Sequence, residues 1–344
     1  MRVALITDGA EVGRDTADLA AALTRLGHEP VVHADTDGTW RHRGHAAAWF
    51  TERWRAGTPD VVHCRSRVAG DAAVTAARLL GIPVVYSVRT ADAASVGPAE
   101  RAVAQRADRV IASCATERAE LFAGRVQGNR ISVVPFGVDV EHFTPDGDRS
   151  PAGRRRRLLA VGELTTGSGF ATAVAALAGL PDTELLIAGT SARGAHAKDL
   201  QAYARHLGVS DRLEILGHVD AATVPGLIRS AVVVLVTPWR PRFGVAAVEA
   251  AACGTAVVAA NTGGLTDTVI DQVTGLLVAP RRPRSLAAAV WKLLASPVLL
   301  EQYGAAARDR ARARYSWHHV ALETVTAYQQ AGAVGDRVLV TSDR

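Results

Sequence analysis

The sequence predicts an α/β protein made of two consecutive Rossmann-like domains, each a doubly wound parallel sheet. The length of 344 residues suits two domains of about 150 residues. Short apolar runs alternate with amphipathic stretches of helical length, a pattern typical of parallel strands joined by crossover helices. This alternation stops in a stretch rich in Pro, Gly, Asp and Arg at residues 145–157 and starts again near residue 158.

The first half begins with a short apolar strand, followed by a helix whose leucines share one face. Gly27 follows this helix at the position where a C-cap is expected. A further helical stretch contains Trp49 and Trp54. The predicted strands are 3–6, 30–33, 61–63, 82–86 and 109–112, and the other predicted helices are 15–26, 71–80 and 99–107.

The second half repeats the pattern with five further apolar strands and helices between them. A helix rich in Arg and Ala is predicted at 297–313, and a last helix at 317–331 has the option of packing back across to the first domain. The predicted strands are 158–161, 184–188, 213–216, 232–236 and 256–259.

These elements define the predicted domain organisation. An N-terminal domain spans 1–150, a C-terminal domain spans 151–315, and residues 316–344 form a final helix and a loose tail. The run from Arg154 to Arg157 falls next to the predicted boundary. We therefore interpret it as solvated linker rather than as a docking patch.

Composition narrows the class of function. The net charge is +5, but the basic residues are dispersed and aromatic residues are only 5% of the chain, which argues against a nucleic-acid partner. The three cysteines are scattered and no metal-ligand spacing accompanies them, so we expect neither disulfides nor a metal site. No apolar run approaches the length of a membrane span, so we expect a cytoplasmic protein, with peripheral membrane contact left open.

The most informative segment is 237–254, where a strand ends in a turn and a helix begins near Gly244. The N-terminus of such a helix presents free N–H groups and the positive end of the helix dipole, which suits a phosphate group. Glu249 lies about one and a half turns inside, where its carboxylate could accept both hydroxyls of a ribose. The alternative is that Glu249 bonds to a neighbouring loop.

Two more glycine-containing loops follow strands of the same predicted sheet. One contains Gly263 and Gly264, and the other begins at Gly162 and contains Ser168. Glycine allows the backbone to approach a ligand closely. Three loops at the carboxyl ends of strands in one open sheet mark the crevice where such sheets bind ligands.

The chain resembles family 4 retaining glycosyltransferases of the GT-B fold. In the second half the resemblance rests on 237–254, on 263–265 and on 273–278. In the first half it rests on 59–63 and on the segments 107–113 and 131–139 with Phe143. It covers nearly the whole chain in the same order.

This resemblance implies two Rossmann-like domains facing a cleft, with the donor bound mainly by the second domain and the acceptor by the first. It implies transfer of a sugar from a UDP-, GDP- or TDP-linked donor to an unknown acceptor, with retention of configuration. The nucleotide-sugar is a substrate, so no cofactor is implied, and no metal is expected.

The family's functional residues transfer unevenly to this sequence. Glu249 matches the glutamate that the family places on the donor ribose, and Gly244 and Phe243 match its neighbours. The family's other glutamate, eight positions earlier, is replaced by Pro241. Glu163 and Ser168 stand where the family places Arg and Lys on the donor phosphates.

Several residues are candidates to compensate for these losses. Arg240 and Arg242 flank Pro241 and could turn toward the phosphates, although surface arginine in an arginine-rich chain is the alternative. His63 is retained at the end of a predicted strand, and Arg89 stands where the family often has a histidine beside the reacting sugar. We take His63 and Arg89 as candidate catalytic residues, with a structural role for His63 as the alternative.

Two functions follow from the sequence. The first is a glycosyltransferase. The alternative is a catalytically degenerate relative that binds a ligand or a partner protein, which the loss of two cations near a leaving diphosphate would favour.

Overall fold

A computed structural model of the chain describes residues 1–7, 14–35, 40, 43–66, 68–88, 96–151, 153–189, 194–239 and 243–333. The chain divides into two compact units. The first comprises Met1–Gly137 and Trp317–Arg344, and the second comprises Val138–Ser316. Each unit contains one six-stranded parallel sheet with helices, so the α/β fold class with two Rossmann-like sheets is confirmed.

The first unit contains six strands in the order β2-β1-β3-β4-β5-β6. Val, Ile and Leu fill its central strands, and β3 and β4 are buried along their whole length, as expected for a sheet covered on both faces. The strands are β1 Arg2–Thr7, β2 Glu29–Ala34, β3 Val61–Cys64, β4 Val84–Ser87, β5 Arg109–Ala112 and β6 Ile131–Val133. The helices are α1 Arg14–Arg25, α2 Arg43–Ala56, α3 Gly70–Leu79, α4 Pro98–Arg106 and α5 Ala115–Ala123.

The second unit has the strand order β12-β11-β10-β7-β8-β9. The order reverses between β7 and β10, and such a switch point is where open α/β sheets bind ligands. The strands are β7 Arg156–Val161, β8 Thr183–Ala188, β9 Leu213–Gly217, β10 Val233–Val236, β11 Val257–Ala260 and β12 Leu276–Val278. The helices are α6 Phe170–Leu177, α7 Ala195–His206, α8 Val224–Ser230, α9 Val245–Ala252, α10 Leu265–Thr268, α11 Pro283–Leu294 and α12 Pro297–Arg310.

The last helix, α13 Trp317–Gln330, belongs to the first unit although it follows the second in sequence. Its side chains Val320, Ala321 and Tyr328 lie in the core on one face of the first sheet. Trp317 packs directly on Gly137, where an added Cβ would lie 2.3 Å from the indole. Only glycine fits at that position.

The division between the units falls at Gly137, whereas the sequence analysis placed the domain boundary at residue 150. Residues between these two positions are hydrogen-bonded to α8 of the second unit. Ser150 N donates to Gly226 O at 3.0 Å, and Arg229 donates to Thr144 O at 3.1 Å and to Asp148 O at 2.9 Å. These bonds attach a segment without strands or helices to the second unit.

The prediction that Arg154 to Arg157 form a solvated linker is wrong for the end of that run. Arg157 lies in β7, is buried, and pairs through Nε with Glu184 Oε1 at 3.0 Å. Arg155 pairs with Asp211 at 2.9 Å. Both partners lie far along the chain from the arginines, one of them on the neighbouring strand β8, and a local charge run does not reveal such tertiary pairs.

Candidate functional site

Three loops meet at the carboxyl edge of the second sheet. The loop after β7 begins at Gly162, whose N–H donates to Ala188 O of β8 at 3.0 Å. The loop after β10 begins at Thr237, and the loop after β11 contains Gly263 with φ at +55°. The predicted donor-binding glycines therefore lie in loops along one edge of one sheet.

Ser168 closes the loop after β7 on itself. Its hydroxyl accepts from Thr165 N at 3.0 Å and contacts the carbonyl oxygens of Thr165 and Glu163. Glu163 itself is exposed. In place of the Arg and Lys that the resemblance implies, this loop presents a carboxylate and a hydroxyl turned back into the loop.

Trp239 joins the three loops through its backbone. Its N–H donates to Gly167 O in the loop after β7 at 3.0 Å, and its carbonyl accepts from Thr262 Oγ1 in the loop after β11 at 3.4 Å. Gly169 lies so close to Thr237 that an added Cβ would be 1.8 Å from the Thr237 carbonyl oxygen. The loops after β7 and β10 are therefore in direct backbone contact at the switch point.

Arg281 reaches this group of loops from the segment after β12. Its guanidinium carbon lies 4.6 Å from the centroid of the Trp239 ring. The contact between Arg281 and Trp239 could not be predicted from the sequence. The two residues are distant in sequence, and their contact depends on the order of β10, β11 and β12 in the sheet.

Gly244 precedes α9 in the left-handed conformation, with φ at +104°. A Cβ there would lie 2.4 Å from Leu265 Cδ2, so glycine is also needed for the loop after β11 to pack beside it. Gly264 directly precedes Leu265 and is buried in a helical conformation. The N-terminus of α9 thus lies beside the Gly263-Gly264 loop.

Glu249 is partly exposed on α9. It lies near Cys253, one turn further along the helix. Burial raises the pKa of the Cys253 thiol to about 12, opposed by Arg229 and reinforced by the Glu249 carboxylate. A raised pKa disfavours the thiolate form of this buried side chain.

A contact between aromatic rings supports Phe243, the residue before Gly244. The buried Phe243 ring meets Tyr315 edge-on, with 5.8 Å between centroids. Tyr315 donates through its hydroxyl to Asp267 O of α10 at 3.0 Å, and Arg310 donates to the same carbonyl at 2.9 Å. Tyr315 therefore connects the loop before α9 with the short helix that follows Gly264.

Tyr315 lies in a π turn, Ala311–Tyr315, that follows α12. The sequence analysis extended this α-helix to residue 313, whereas the structure ends it at Arg310. π turns occur frequently at functional sites. Here the turn directs the Tyr315 ring toward Phe243.

In the first unit, His63 is the third residue of the four-residue strand β3 and is 1% exposed. Its Nδ1 lies 2.8 Å from the Tyr328 hydroxyl of α13, and its Nε2 lies 2.7 Å from Ser87 Oγ of β4. Burial, reinforced by the nearby Arg65 guanidinium, holds the pKa of His63 well below its usual value. Both nitrogens of this neutral ring are already hydrogen-bonded, which favours the structural alternative for His63.

Arg65 lies beside this histidine and pairs with Asp15 of α1 at 2.6 Å. Burial lowers the pKa of Arg65 to about 10. A cavity of about 30 Å³ lies at the carboxyl edge of the first sheet, and its polar lining includes His63, Arg65, Ser87, Ser113 and Thr324. A volume of this size holds about one or two water molecules.

Arg89, Arg240, Pro241 and Arg242 lie outside the described residues. Among the residues that the structure does describe, no group of three or more His, Cys, Asp or Glu side chains could hold a metal ion. In that same part of the chain, no helix has both the length and the apolar character needed to cross a membrane.

Comparison with known proteins gives the family. The model of the glycosyl transferases group 1 family matches residues 148–310, and that of Glycosyltransferase Family 4 matches residues 12–142. The D-inositol 3-phosphate glycosyltransferase of Xylanimonas cellulosilytica is 32% identical, across 96% of this chain and 82% of its own length. The chain therefore belongs to the family 4 glycosyltransferases.

Two further proteins show the range of the family and the fold. The glycogen synthase of Mycobacterium tuberculosis is 33% identical over 81% of this chain and 70% of its own length. The crystal structure of Anabaena Alr3699/HepE in complex with UDP and glucose superimposes with a TM-score of 0.78 at 18% identity, covering 96% of this chain and 99% of that one. The predicted GT-B fold of this glycosyltransferase is thereby confirmed.

For a glycosyltransferase, the composition of the loop after β7 leaves open which residues meet the donor phosphates. This loop has Glu163 and Ser168 where the family resemblance expects Arg and Lys, so it contains no cation. Ser168 forms hydrogen bonds within the loop. The assignments of Glu249, Gly244, Phe243, Gly162, Gly263 and Gly264 to donor binding stay predictions.

Proposed function

We propose that this glycosyltransferase transfers a sugar from a nucleoside-diphosphate donor to an acceptor hydroxyl, with retention of the anomeric configuration. The observation that carries the proposal is the joining of the loops after β7, β10 and β11 through Trp239, beside the N-terminus of α9. These loops combine backbone N–H groups and close glycine backbones at the switch point of the second sheet, and Glu249 lies on the helix that follows one of them.

Each part of the donor has a chemically suitable group there. The N-terminus of α9 presents N–H groups to a phosphate oxygen, and the helix dipole favours negative charge at that end. Glu249 accepts hydrogen bonds from the two ribose hydroxyls. In the transfer, the bond from the anomeric carbon to the β-phosphate oxygen breaks and its electron pair stays on that oxygen. The acceptor oxygen bonds to the anomeric carbon, and its proton leaves with the nucleoside diphosphate.

We propose a UDP-, GDP- or TDP-linked sugar as the donor, with UDP the first to test because UDP and glucose accompany the Anabaena structure. The names of these two relatives include an inositol phosphate and glycogen, so the first acceptors to test are a phosphorylated cyclitol and a glucan. We assign acceptor binding to the first unit, as the family resemblance implies.

We also propose that transfer needs no metal and takes place in the cytoplasm. The three cysteines, Cys64, Cys114 and Cys253, are buried thiols outside any disulfide, which is compatible with a reducing compartment. Adding EDTA to the transfer assay tests the first of these statements, because activity should be unchanged by the chelator.

A thermal-shift screen of the wild-type protein against UDP, GDP, TDP and ADP tests the donor proposal. A ligand at 100 times its dissociation constant stabilises the fold by about 2.7 kcal/mol, which raises Tm measurably. The nucleotide that raises Tm is then offered as its sugar conjugate with each acceptor, and the product is detected by mass spectrometry. If no nucleotide raises Tm and no product forms, the proposal is wrong.

The loop after β7 favours a second candidate, a relative that binds a nucleotide without transferring its sugar. Glu163 would repel a diphosphate, since two unit charges 4 Å apart interact by about 4 kcal/mol at an effective dielectric constant near 20. A nucleotide that raises Tm, combined with no turnover of any of the corresponding sugar conjugates, would favour this candidate.

A further inference from the structure

Arg281 follows β12 in an uncommon backbone conformation. Its φ is +59°, in the left-handed region that only a few per cent of non-glycine residues adopt. An outlier of this kind justifies a functional hypothesis when the surrounding structure holds the side chain at a site. The ring of Trp239, 4.6 Å from the guanidinium carbon, holds Arg281 in this way.

Arg281 differs from other arginines of the second unit in its partner. Arg155 and Arg157 are paired with Asp211 and Glu184. Within the described residues, no carboxylate lies within ion-pair distance of Arg281, and its exposed side chain lies over an indole instead. Its positive charge is therefore not neutralised by a neighbouring carboxylate there.

The position of Trp239 gives this charge its significance. Trp239 bonds through its N–H to Gly167 O, and Gly167 directly precedes Ser168. Arg281 thus contacts the residue that bonds to this loop, in which the family resemblance expects two cations and the sequence provides Glu163 and Ser168. The contact also lies at the carboxyl edge of β10, next to the point where the strand order reverses.

Stacking on an indole leaves the hydrogen-bonding capacity of a guanidinium intact. The ring attracts the cation through its quadrupole and takes up none of the guanidinium's five N–H donors in a conventional hydrogen bond. That planar fork matches two phosphate oxygens, which is the geometry that makes arginine a strong partner of phosphate groups. A phosphate approaching in the plane of the guanidinium would meet these donors.

We propose that Arg281 binds the diphosphate of the donor and stabilises its negative charge, with Trp239 as the residue that positions it. Arg281 then supplies charge from the segment after β12 that Glu163 and Ser168 do not supply after β7. This inference rests on the proposed function, because it requires that the second unit bind a nucleoside diphosphate.

The test compares UDP with uridine by isothermal titration calorimetry. Arg281→Asn removes the charge, and asparagine tolerates the left-handed backbone better than most residues. We expect Arg281→Asn to weaken UDP binding about tenfold and to leave uridine binding unchanged, because uridine carries no phosphate. Arg284→Asn is the matched control, since Arg284 is an exposed arginine in the first turn of α11 and is expected to affect neither ligand.

Variants of Trp239 test the positioning role. Trp239→Phe retains an aromatic face and is expected to retain most of the UDP affinity, whereas Trp239→Ala is expected to lose about as much as Arg281→Asn. Combining Trp239→Ala with Arg281→Asn should cause little further loss, because both remove the same interaction. A purely structural role of Trp239 would instead weaken uridine and UDP binding equally.

The outcomes separate this inference from the proposed function. If the wild type binds UDP and Arg281→Asn binds it equally well, the inference is wrong and the proposed function stands. If the paired changes Arg240→Ala and Arg242→Ala weaken UDP binding while Arg281→Asn does not, those arginines supply the charge instead. If the wild type binds none of UDP, GDP, TDP and ADP, the inference and the proposed function are both wrong.

Discussion

The carboxyl edges of the two sheets differ in how their polar groups are used. In the first unit, Ser87 and Tyr328 each hydrogen-bond to His63, and Arg65 is paired with Asp15. In the second unit, the same edge presents glycine backbones, the start of α9 and an arginine stacked on an aromatic ring. Side chains bonded among themselves stabilise a fold, whereas donors left available can bind a ligand. The comparison therefore supports the proposal that the second unit binds the donor, and it favours a largely structural role for the His63 cluster.

The largest effect is expected from Glu249→Ala. Losing two charge-assisted hydrogen bonds to a ribose should weaken nucleotide binding by at least about a hundredfold, since each such bond contributes about 1.5–3 kcal/mol. Tm should hardly change, because Glu249 is partly exposed. Calorimetric titration and a melting curve measure both quantities, with Glu301→Ala on α12 as an exposed glutamate control. A large fall in Tm with binding intact would mean that Glu249 bonds to a neighbouring loop and not to a ligand.

The His63 cluster predicts a pH dependence of stability. The pKa of His63 in the folded protein lies well below the value of 6.5 expected for the unfolded chain. Below pH 6.5 the unfolded chain therefore takes up a proton that the folded chain does not. The free energy of unfolding should therefore be largest above pH 6.5. On acidification it should fall by up to about 1.4 kcal/mol per pH unit for this group.

His33 contributes to the same decline. Burial, with a smaller effect of Arg53, lowers its pKa to about 4, so its contribution is lost between pH 6.5 and 4. Urea unfolding at several pH values gives the slope of the unfolding free energy against pH. This slope should be shallower for His63→Gln than for the wild type. His196→Gln, at an exposed histidine of α7, is the control and should leave the slope unchanged. An equal slope in His63→Gln would show that His63 is not held neutral by the fold.

Restoring the family's residues in the loop after β7 tests whether the charge has moved. If Arg281 or another arginine already meets the diphosphate, Glu163→Arg with Ser168→Lys and Pro241→Glu should crowd the site with charge. We expect turnover to fall about tenfold. A rise in nucleotide-sugar affinity or hydrolysis, from a wild type without turnover, would instead identify a degenerate protein. Initial rates with the sugar conjugate that raises Tm distinguish the two results.

A smaller effect is expected from Tyr315→Phe. This change keeps the ring against Phe243 but removes the hydroxyl that donates to Asp267 O. The two donor loops should be held less firmly, so we expect the donor KM to rise about threefold while kcat changes little. Tyr203→Phe, at an exposed tyrosine of α7, is the control. An unchanged donor KM would mean that the hydroxyl serves only the packing of the π turn.

The fold could be predicted because its information is local. Buried parallel strands appear as short apolar runs, and the helices between them end at residues such as Gly27, whose φ is +80°. Arg157 was misjudged because its partner Glu184 lies on the neighbouring strand, and adjacent charges in sequence do not reveal this pairing. The helix limit near residue 313 was wrong because a π turn has no simple sequence pattern.

The candidate site could be predicted only in part, for the same physical reason. Gly244 and Gly263 are recognisable because their conformations require glycine in a loop after a strand. The contact of His63 with Tyr328 spans 265 residues, and that of Arg281 with Trp239 depends on the order of strands in the sheet. Such contacts follow from topology and not from spacing along the chain.

Amide hydrogen exchange of the wild-type protein with and without saturating UDP tests the central claim most directly. The account predicts slower exchange in peptides covering 162–169, 237–244 and 261–264, because a bound diphosphate would engage their N–H groups. Peptides around His63 and Ser87 should exchange at the same rate with and without UDP. Protection confined to the His63 cluster, or absent from all three loops of the second unit when calorimetry shows binding, would contradict the assignment of donor binding to the second sheet.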